Sequence, residues 1–524
     1  LRLVMRPLLS LSLTLAVCIF SSCRRAEPPA PATREISLES LQDKIRGGWA
    51  GQMIGVSYGA PTEFRYRGEI IPEEKLPEWK PEMIENALDQ DDIYVDMTFA
   101  QVLQDKGLDA TTEDFGEMFK KSQYRLWHAN MAARRALRRG VPATESGTPK
   151  YNIHANDIDF QIESDFIGLM CPGMPQSAND YCLRAGRVMN YGDGIYGGMF
   201  VSGMYAAAFF ESDPRKLVEA GLASIPAASP YGQIIADTLK WSQENPNDWT
   251  RTWQLLEDKW NRRDPCPGGA LTPYNIDAKL NGAYIALGLL YGRGDFEQTL
   301  KVSTRAGQDS DCNPSNAAGI LGVVLGYEKI PDIWKSGIPA IADKKFSFTN
   351  HTFRSIVEST TQRAVELAER HGGQFLGDKL VVAIQQPVAA PLEIWDDYGD
   401  PVERIPHGDA RCSFQGQWTD HAKGTARRSA SKGAEATVAF EGTGFILTGS
   451  YLPTGGKADV SLDDGPPETI DVFEDQERAN ESLFHRFKLP AGKHTVRLVV
   501  RGEPFEGSST KGRDVAVRDL IVFR

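Results

Sequence analysis

The chain lacks several features that would place a protein in a class at once. Its seven cysteines, Cys18, Cys23, Cys171, Cys182, Cys266, Cys312 and Cys412, are scattered without a C-x-x-C pair. Neither a disulfide scaffold nor a zinc site is expected from them. The net charge is −12 and no long Lys/Arg run occurs, which argues against a nucleic-acid partner. Arg134, Arg135, Arg138 and Arg139 are the one basic cluster, at helical spacing, and read as a solvated face. No G-x-G-x-x-G follows a strand, so a nucleotide loop is not indicated. Between Ser37 and Gly373 no segment alternates apolar and polar residues for any length, so that region has no strand signature.

What is present is ordinary globular material. The chain has 524 residues, 41% hydrophobic and 24% charged, enough for two or three domains. At the N-terminus, Arg2 and Arg6 precede an apolar run from Pro7 to Phe20 that is too short to span a bilayer comfortably. Ser21-Ser22-Cys23 then resembles a lipoprotein processing site. That resemblance implies removal of residues 1–22 and acylation of Cys23. Arg24 rather than an aspartate follows, which implies the bacterial outer membrane. Residues 23–36, rich in Pro and Ala, read as a tether.

From Ser37, a predicted N-cap, Leu38, Leu41, Ile45, Trp49, Met53 and Val56 recur at three- and four-residue steps. Gly47, Gly48, Gly51, Gly55 and Gly59 share this helix, so something must pack close against it. The loop that ends it displays Glu63. Residues 69–86 read as a flap. Next comes Asp89-Gln-Asp-Asp-Ile-Tyr-Val-Asp96, in which Asp89, Asp92 and Asp96 would share one helix face beside Asp91. A helix dipole favours acids in a first turn, but four together repel unless a cation neutralises them. His128 reads as a packed core histidine. Asn190 to Gly198 is a glycine-dense loop before an apolar helix. A second acidic motif, Asp309 and Asp311, precedes a small-residue helix, with Asn313 as N-cap and Pro314 in the first helical position. The reading for 37–373 is all-α, an orthogonal array of ten or more helices.

Prolines 387, 391, 401 and 406 punctuate a linker over 374–410. From 411 to 524 the period becomes two, as in Ala436, Val438 and Phe440 or Val496, Leu498 and Val500. Turns such as Asp464-Gly465 separate the runs, so an antiparallel β-sandwich is expected. The protein is therefore read as multidomain.

Three motifs together resemble a known family. Ile45-Arg-Gly-Gly-Trp-Ala-Gly-Gln-Met-Ile-Gly with the loop to Glu63, Gln90-Asp91-Asp92, and Gly307-Gln-Asp-Ser-Asp-Cys-Asn313 are similar to the opening helix, Thr-Asp-Asp and Gly-Gly-Asp-Thr-Asp-Thr-Asn motifs of the ADP-ribosylglycohydrolase superfamily. The resemblance implies an all-α domain binding two magnesium ions, with Asp91, Asp92, Asp309 and Asp311 as ligands. Gln90 stands where a threonine ligand is usual and could ligate through its carbonyl oxygen. Cys312 replaces another threonine, and a soft thiol suits magnesium poorly; Asp89 and Asp96 could compensate. Glu63 or Asp311 would be the general acid or base. Asn156, Asp157, Gly192, Asp193 and Tyr196 fall where substrate contacts are expected. The C-terminal region resembles galactose-binding-like, carbohydrate-associated modules, with Trp418, Tyr451 and His494 as candidate sugar contacts. Three functions are open: cleavage of a glycosidic bond to a ribose-like sugar, an exported glycoside hydrolase acting on a glycan with the same site, or a non-catalytic surface glycan-binding lipoprotein. The partner is a sugar-containing molecule, and the membrane is met through the lipid alone.

Overall fold

In the computed structural model, which describes residues 32–261 and 264–524, one helix pair sets the position of everything else. Six helices matter for the site: α1 (Leu38–Gly59), α2 (Asp91–Lys106), α3 (His128–Arg138), α4 (Asp193–Ala208), α5 (Ala278–Gly292) and α6 (Cys312–Leu325). Cys23, the signal segment and most of the tether lie outside the described residues. No described helix is long and apolar enough to cross a membrane.

α1 starts where expected: the Ser37 hydroxyl accepts from the Ser40 amide at 3.1 Å. Its glycines recur every fourth residue and form one stripe. That stripe lies antiparallel on α6 and the turn before it. A Cβ on Gly47 would sit 2.2 Å from the Gly322 carbonyl oxygen, one on Gly51 2.1 Å from that of Ala318, and one on Gly55 2.2 Å from that of Pro314. Only hydrogen fits at these positions. α4 and α5, apolar on nearly all sides, pack against α6 and make the centre of the domain.

The small sheet β1 (Thr33–Ser37), β2 (Gln374–Leu376) and β3 (Lys379–Ala383) closes the helical domain, with order β1-β3-β2. Thr33–Ser37 was expected as tether. It instead pairs antiparallel with Lys379–Ala383, Thr33 opposite Ala383 and Ser37 opposite Lys379. A strand of five residues with one buried side chain, Ile36, is too short to show a period of two.

The C-terminal region is a sandwich as expected, but the linker is shorter than 374–410: residues 374–376 and 379–383 belong to the small sheet, and Pro401–Pro406 pairs with the last strand of the sandwich. Its strands are β4 (Pro401–Pro406), β5 (Cys412–Gln415), β6 (Thr419–His421), β7 (Ala426–Ser429), β8 (Glu435–Gly442), β9 (Gly444–Tyr451), β10 (Gly456–Leu462), β11 (Glu468–Asp471), β12 (Arg478–Arg486), β13 (Gly492–Pro504) and β14 (Val515–Phe523). One sheet runs β11-β10-β13-β8-β5. The other runs β12-β9-β14-β7-β6, with β4 also paired to β14. β9 is buried along its whole length, on both faces. The inner face meets the other sheet. The outer face carries Ile446 into a cluster with Ile521, Phe523, Ile153, Ala155 and Trp395, so the sandwich is docked on the helical domain and the linker.

The docking corrects the reading of the basic cluster. Arg135 is buried, pairs with Glu481 of β12 at 3.2 Å, and lies over the Tyr451 ring at 3.8 Å. Arg138 pairs with Asp475 at 2.9 Å, and Arg139 pairs with Asp471. Arg134 turns inward to the Tyr124 carbonyl at 2.7 Å. Arg135, Arg138 and Arg139 thus face acids of the sandwich. Tyr451 is therefore an interface residue and not a sugar platform. His494 is likewise spent, on Asp463 at 2.9 Å and the Pro490 carbonyl at 2.8 Å. Trp418 is half-buried edge-on to Phe414 at 5.1 Å.

Gly51→Val should cost about 3 kcal/mol or more, because the helices cannot separate without opening the core; Gly408→Ala, in open space, should stay within about 0.5 kcal/mol. Denaturant unfolding of both variants compares them directly. Arg135→Ala should cost about 3 kcal/mol by removing the guanidinium that faces Glu481 in the interface. Faster proteolysis of the 387–397 linker in that variant would report the undocking, and unchanged cleavage would count against it.

Candidate active site

The antiparallel packing of α1 and α6 brings the C-terminal end of one to the N-terminal end of the other. The loop after α1 and the turn before α6 are then stitched together. The Phe64 amide donates to the Gln308 carbonyl at 3.0 Å, and the Gln308 amide donates to the Tyr66 carbonyl at 2.8 Å. The Thr62 and Ser310 hydroxyls meet at 2.9 Å. Phe64 and Gln308 both take positive φ, +48° and +53°, so the two turns hold each other in conformations neither residue favours alone. Glu63 is presented from one turn, Asp309 and Asp311 from the other.

α6 begins two residues earlier than the sequence indicated. Asp311, not Asn313, is the N-cap, and its Oδ1 accepts from the Cys312 amide at 3.0 Å. A carboxylate one step before the first free amides competes successfully with an amide further on. α2 begins at Asp91, with Gln90 as N-cap residue; the Gln90 side chain makes no capping bond. Asp89 lies outside the helix, exposed on an ion pair with Arg125 at 3.0 Å, and does not share a face with Asp92. Asp96 points deeper, accepting from Gln52 at 2.8 Å. Neither Asp89 nor Asp96 joins the first pair. Beneath the site, Asp165 accepts from Asn316 at 2.8 Å and from the Tyr205 hydroxyl.

Five carboxylates thus converge: Glu63, Asp91, Asp92, Asp309 and Asp311. Asp92, Asp309 and Asp311 are buried, Asp91 is half-buried and Glu63 is open to solvent. Burial and then Asp311 push Asp91 up to about 7. Asp311, followed by burial and Asp91, pushes Glu63 up to about 8. Asp92 is raised well above the carboxylate range by burial and by Asp91 and Asp311, and Asp309 by burial and Asp311. Oδ1 of Asp92 and Oδ1 of Asp309 are buried without a hydrogen-bond partner among the described residues. Asp309, Asp311 and Cys312 can bring one donor atom each within 4.8 Å of one another. Mutually repelling carboxylates with unsatisfied oxygens are the donor set of a hard divalent cation. The Cys312 thiol stays protonated, raised first by burial and then by Asp309 and Asp92, and donates to Asp92 Oδ2 at 3.4 Å. It orients a carboxylate where the resemblance led one to expect a ligand hydroxyl.

Of the five residues expected at substrate, Asn156, Gly192 and Tyr196 gather against the linker. The Asn156 amide donates to the Trp395 carbonyl at 2.8 Å. Tyr196 donates to the Pro391 carbonyl at 2.7 Å and accepts from the Glu393 amide at 2.6 Å. A Cβ on Gly192 would lie 3.0 Å from the Glu393 carbonyl oxygen. The open backbone of the glycine-dense loop therefore admits the linker, and not a ligand. Asp193 accepts from the Tyr231 amide at 3.1 Å. Asp157 bonds His154 at 2.7 Å. With His128, Cys266 and Tyr274, that pair forms a second polar cluster that no local motif announced; its five residues come from three separate segments of the chain. Asp159 accepts from the Asn130 and Ala129 amides at 2.9 and 3.2 Å at the start of α3, and its charge reaches Asp91.

Comparison with known proteins agrees with this arrangement. Residues 37–374 match the family model described as ADP-ribosylglycohydrolase, a metal-dependent family. An A type blood alpha-D-galactosamine galactosaminidase of Flavonifractor plautii is 31% identical over 125 residues, 23% of this chain. The chain spans only 11% of that relative's length. Among solved structures, an ADP-ribosylglycohydrolase-related protein complex aligns over 62% of this chain and 98% of its own, at 17% identity and a TM-score of 0.38. A family 35 carbohydrate binding module from Clostridium thermocellum aligns over 23% of this chain and 98% of its own, at 11% identity and a TM-score of 0.17. The glycine-packed helix pair, the five convergent carboxylates and the match over the whole helical domain have one explanation: the chain belongs to the ADP-ribosylglycohydrolase family.

Proposed function

We propose that this enzyme cleaves the glycosidic bond of a ribose-like sugar at a site loaded with two magnesium ions. The observation that carries the reading is the buried convergence of Asp91, Asp92, Asp309 and Asp311, whose oxygens repel one another and are in part unpartnered. These four residues would hold the ions. When bound, the pair supplies Lewis-acid contacts for sugar hydroxyls and an acidified water. The chain does the rest. Cys312 fixes the rotamer of Asp92 through its thiol, and the Cys312 amide fixes Asp311. Glu63, the most exposed of the five carboxylates, is placed to exchange a proton with solvent or leaving group. Asp311 is the second candidate for that role, and its charge tunes Glu63.

A second reading keeps the site and changes the substrate to a glycan met outside the cell. The N-terminal pattern that ends at Cys23 supports it, with anchoring in an outer membrane. The partial likeness to a galactosaminidase supports it too. Parallel hydrolysis assays on ADP-ribosyl-arginine and on furanoside glycans separate the two. Release of free sugar only from the glycans favours the second.

Asp309→Asn and Asp311→Asn should each lower kcat/KM by about 100-fold or more with melting temperature preserved or raised; wild-type turnover in either variant rejects the site. Metal binding should depend on pH. Asp91 ionises at about 7 in the folded, metal-free chain, against roughly 4 when unfolded. Its raised value stabilises the metal-free fold below about pH 4, and that contribution is lost as pH rises through about 7. Magnesium must displace the same protons, so its affinity should climb over that window, with proton release seen by calorimetry in two buffers. A pH-independent affinity would contradict the assignment. Cation at 100 times its Kd should add about 2.7 kcal/mol of stability.

A further inference from the structure

The second polar cluster has the composition and the surroundings of a metal centre of its own. His128 stands at the start of α3 with φ +41°. His154 and Asp157 come from the loop that leads towards Asp159, and Cys266 from the loop before α5. One donor atom from each of the four lies within 4.8 Å of all the others. His154 Nδ1 is 2.7 Å from Asp157 Oδ2, His128 Nδ1 is 3.5 Å from the same oxygen, and Cys266 Sγ is 3.9 Å from His128 Nδ1. Ligands placed tetrahedrally about zinc at 2.0–2.3 Å are separated by roughly 3.3–3.8 Å. The four atoms bracket that spacing, and His154 and Asp157 need move apart by well under about 1 Å to meet it.

The outer contacts are those a ligating imidazole requires. With Nδ1 turned to the centre, each ring directs Nε2 outward. His128 Nε2 meets the Tyr274 hydroxyl at 2.9 Å. His154 Nε2 is buried without a hydrogen bond among the described residues, with the Glu481 carboxylate of β12 3.5 Å away. Such partners hold the tautomer and aim the ring. His154, Asp157 and Cys266 are each 1% exposed. Two imidazole nitrogens, a carboxylate oxygen and a thiol are a borderline-soft set that suits zinc, unlike the all-oxygen set of Asp91, Asp92, Asp309 and Asp311.

We propose that His128, His154, Asp157 and Cys266 bind one zinc-class divalent ion, separate from the carboxylate site. Four protein ligands leave no open position, so the ion is structural. It ties together the start of α3, the 152–158 loop and the 264–276 loop. Glu481 sits behind His154, so the ion also braces the surface on which the sandwich docks. Cys266 is held protonated up to about 12 by burial and then by Asp157, and it gives up that proton when the ion binds.

The test uses the purified full chain, stripped with a chelator and titrated with Zn²⁺ alone or Co²⁺ alone. One equivalent of tightly held zinc is expected, with a thiolate-to-cobalt charge-transfer band in the cobalt form. Cys266→Ser and His128→Gln should each abolish the band and the tight zinc. His128 is a quarter exposed on its side chain, so its variant remains informative if Cys266→Ser fails to fold. Cys312→Ser should retain both signals, and Glu481→Gln should weaken zinc by about tenfold. Absence of stoichiometric zinc in the wild type overturns the proposal. So does a band that survives Cys266→Ser or His128→Gln, or one that disappears in Cys312→Ser.

Discussion

Between α1 and α6 there is room for backbone and hydrogen atoms and nothing larger. A helix pair at such a distance has one register, because Gly47, Gly51 and Gly55 are each matched to one carbonyl of the partner helix. The ends of both helices are then fixed to within a fraction of a residue. That matters because the ends are where the chemistry is. The turn after α1 and the turn before α6 bond to each other through Phe64, Gln308 and Tyr66, and neither can shift without dragging a packed helix along. The positions of Glu63, Asp309 and Asp311 are inherited from this contact.

The same rigidity is what allows five carboxylates to share a small volume. Left to itself, such a group would spread or stay protonated, and the raised values of Asp91, Asp92 and Asp309 express that tension. The surrounding core is large enough to offset it. The lower layer, with Asp96 on Gln52 and Asp165 on Asn316 and Tyr205, keeps the helix ends from twisting away. Stability is conceded at the site and recovered in the helices behind it, the pattern expected where a cluster exists to meet a counter-charge.

What could be read from the chain beforehand followed the range of the physics involved. Glycines at every fourth residue are local and pointed to the right helix contact; the Asp91-Asp92 and Asp309/Asp311 pairs are local too and do come together, whereas the spacing of Asp89 and Asp96 misled. The Asp311 cap was misjudged by two residues because Asn313 and Pro314 also form a good helix start; the choice rested on which carboxylate the fold would bring to the first amides. Arg135, Arg138 and Arg139 were read as facing water. A basic helical face has the same pattern whether water or the acids of β11 and β12 lie opposite. The glycine loop at 192–198 signalled close approach correctly, but the approaching group is the linker. His128, His154 and Cys266 carried no signal at all, since only the tertiary fold makes them neighbours.

The burial of β9 on both faces bears on how this protein can have diversified. An appended β-sandwich is easily pictured as an interchangeable cassette on a loose string. Here it is mortised into the helical domain by Arg135, Tyr451, Glu481 and the Ile446–Trp395 cluster. A foreign sandwich spliced in after residue 410 would leave buried arginines without acids and an apolar wall without a cover. Recombination at that junction is therefore penalised, and the two halves must drift together, each substitution on one side answered on the other. Any freedom to vary is confined to the strands and loops that the helical domain does not touch.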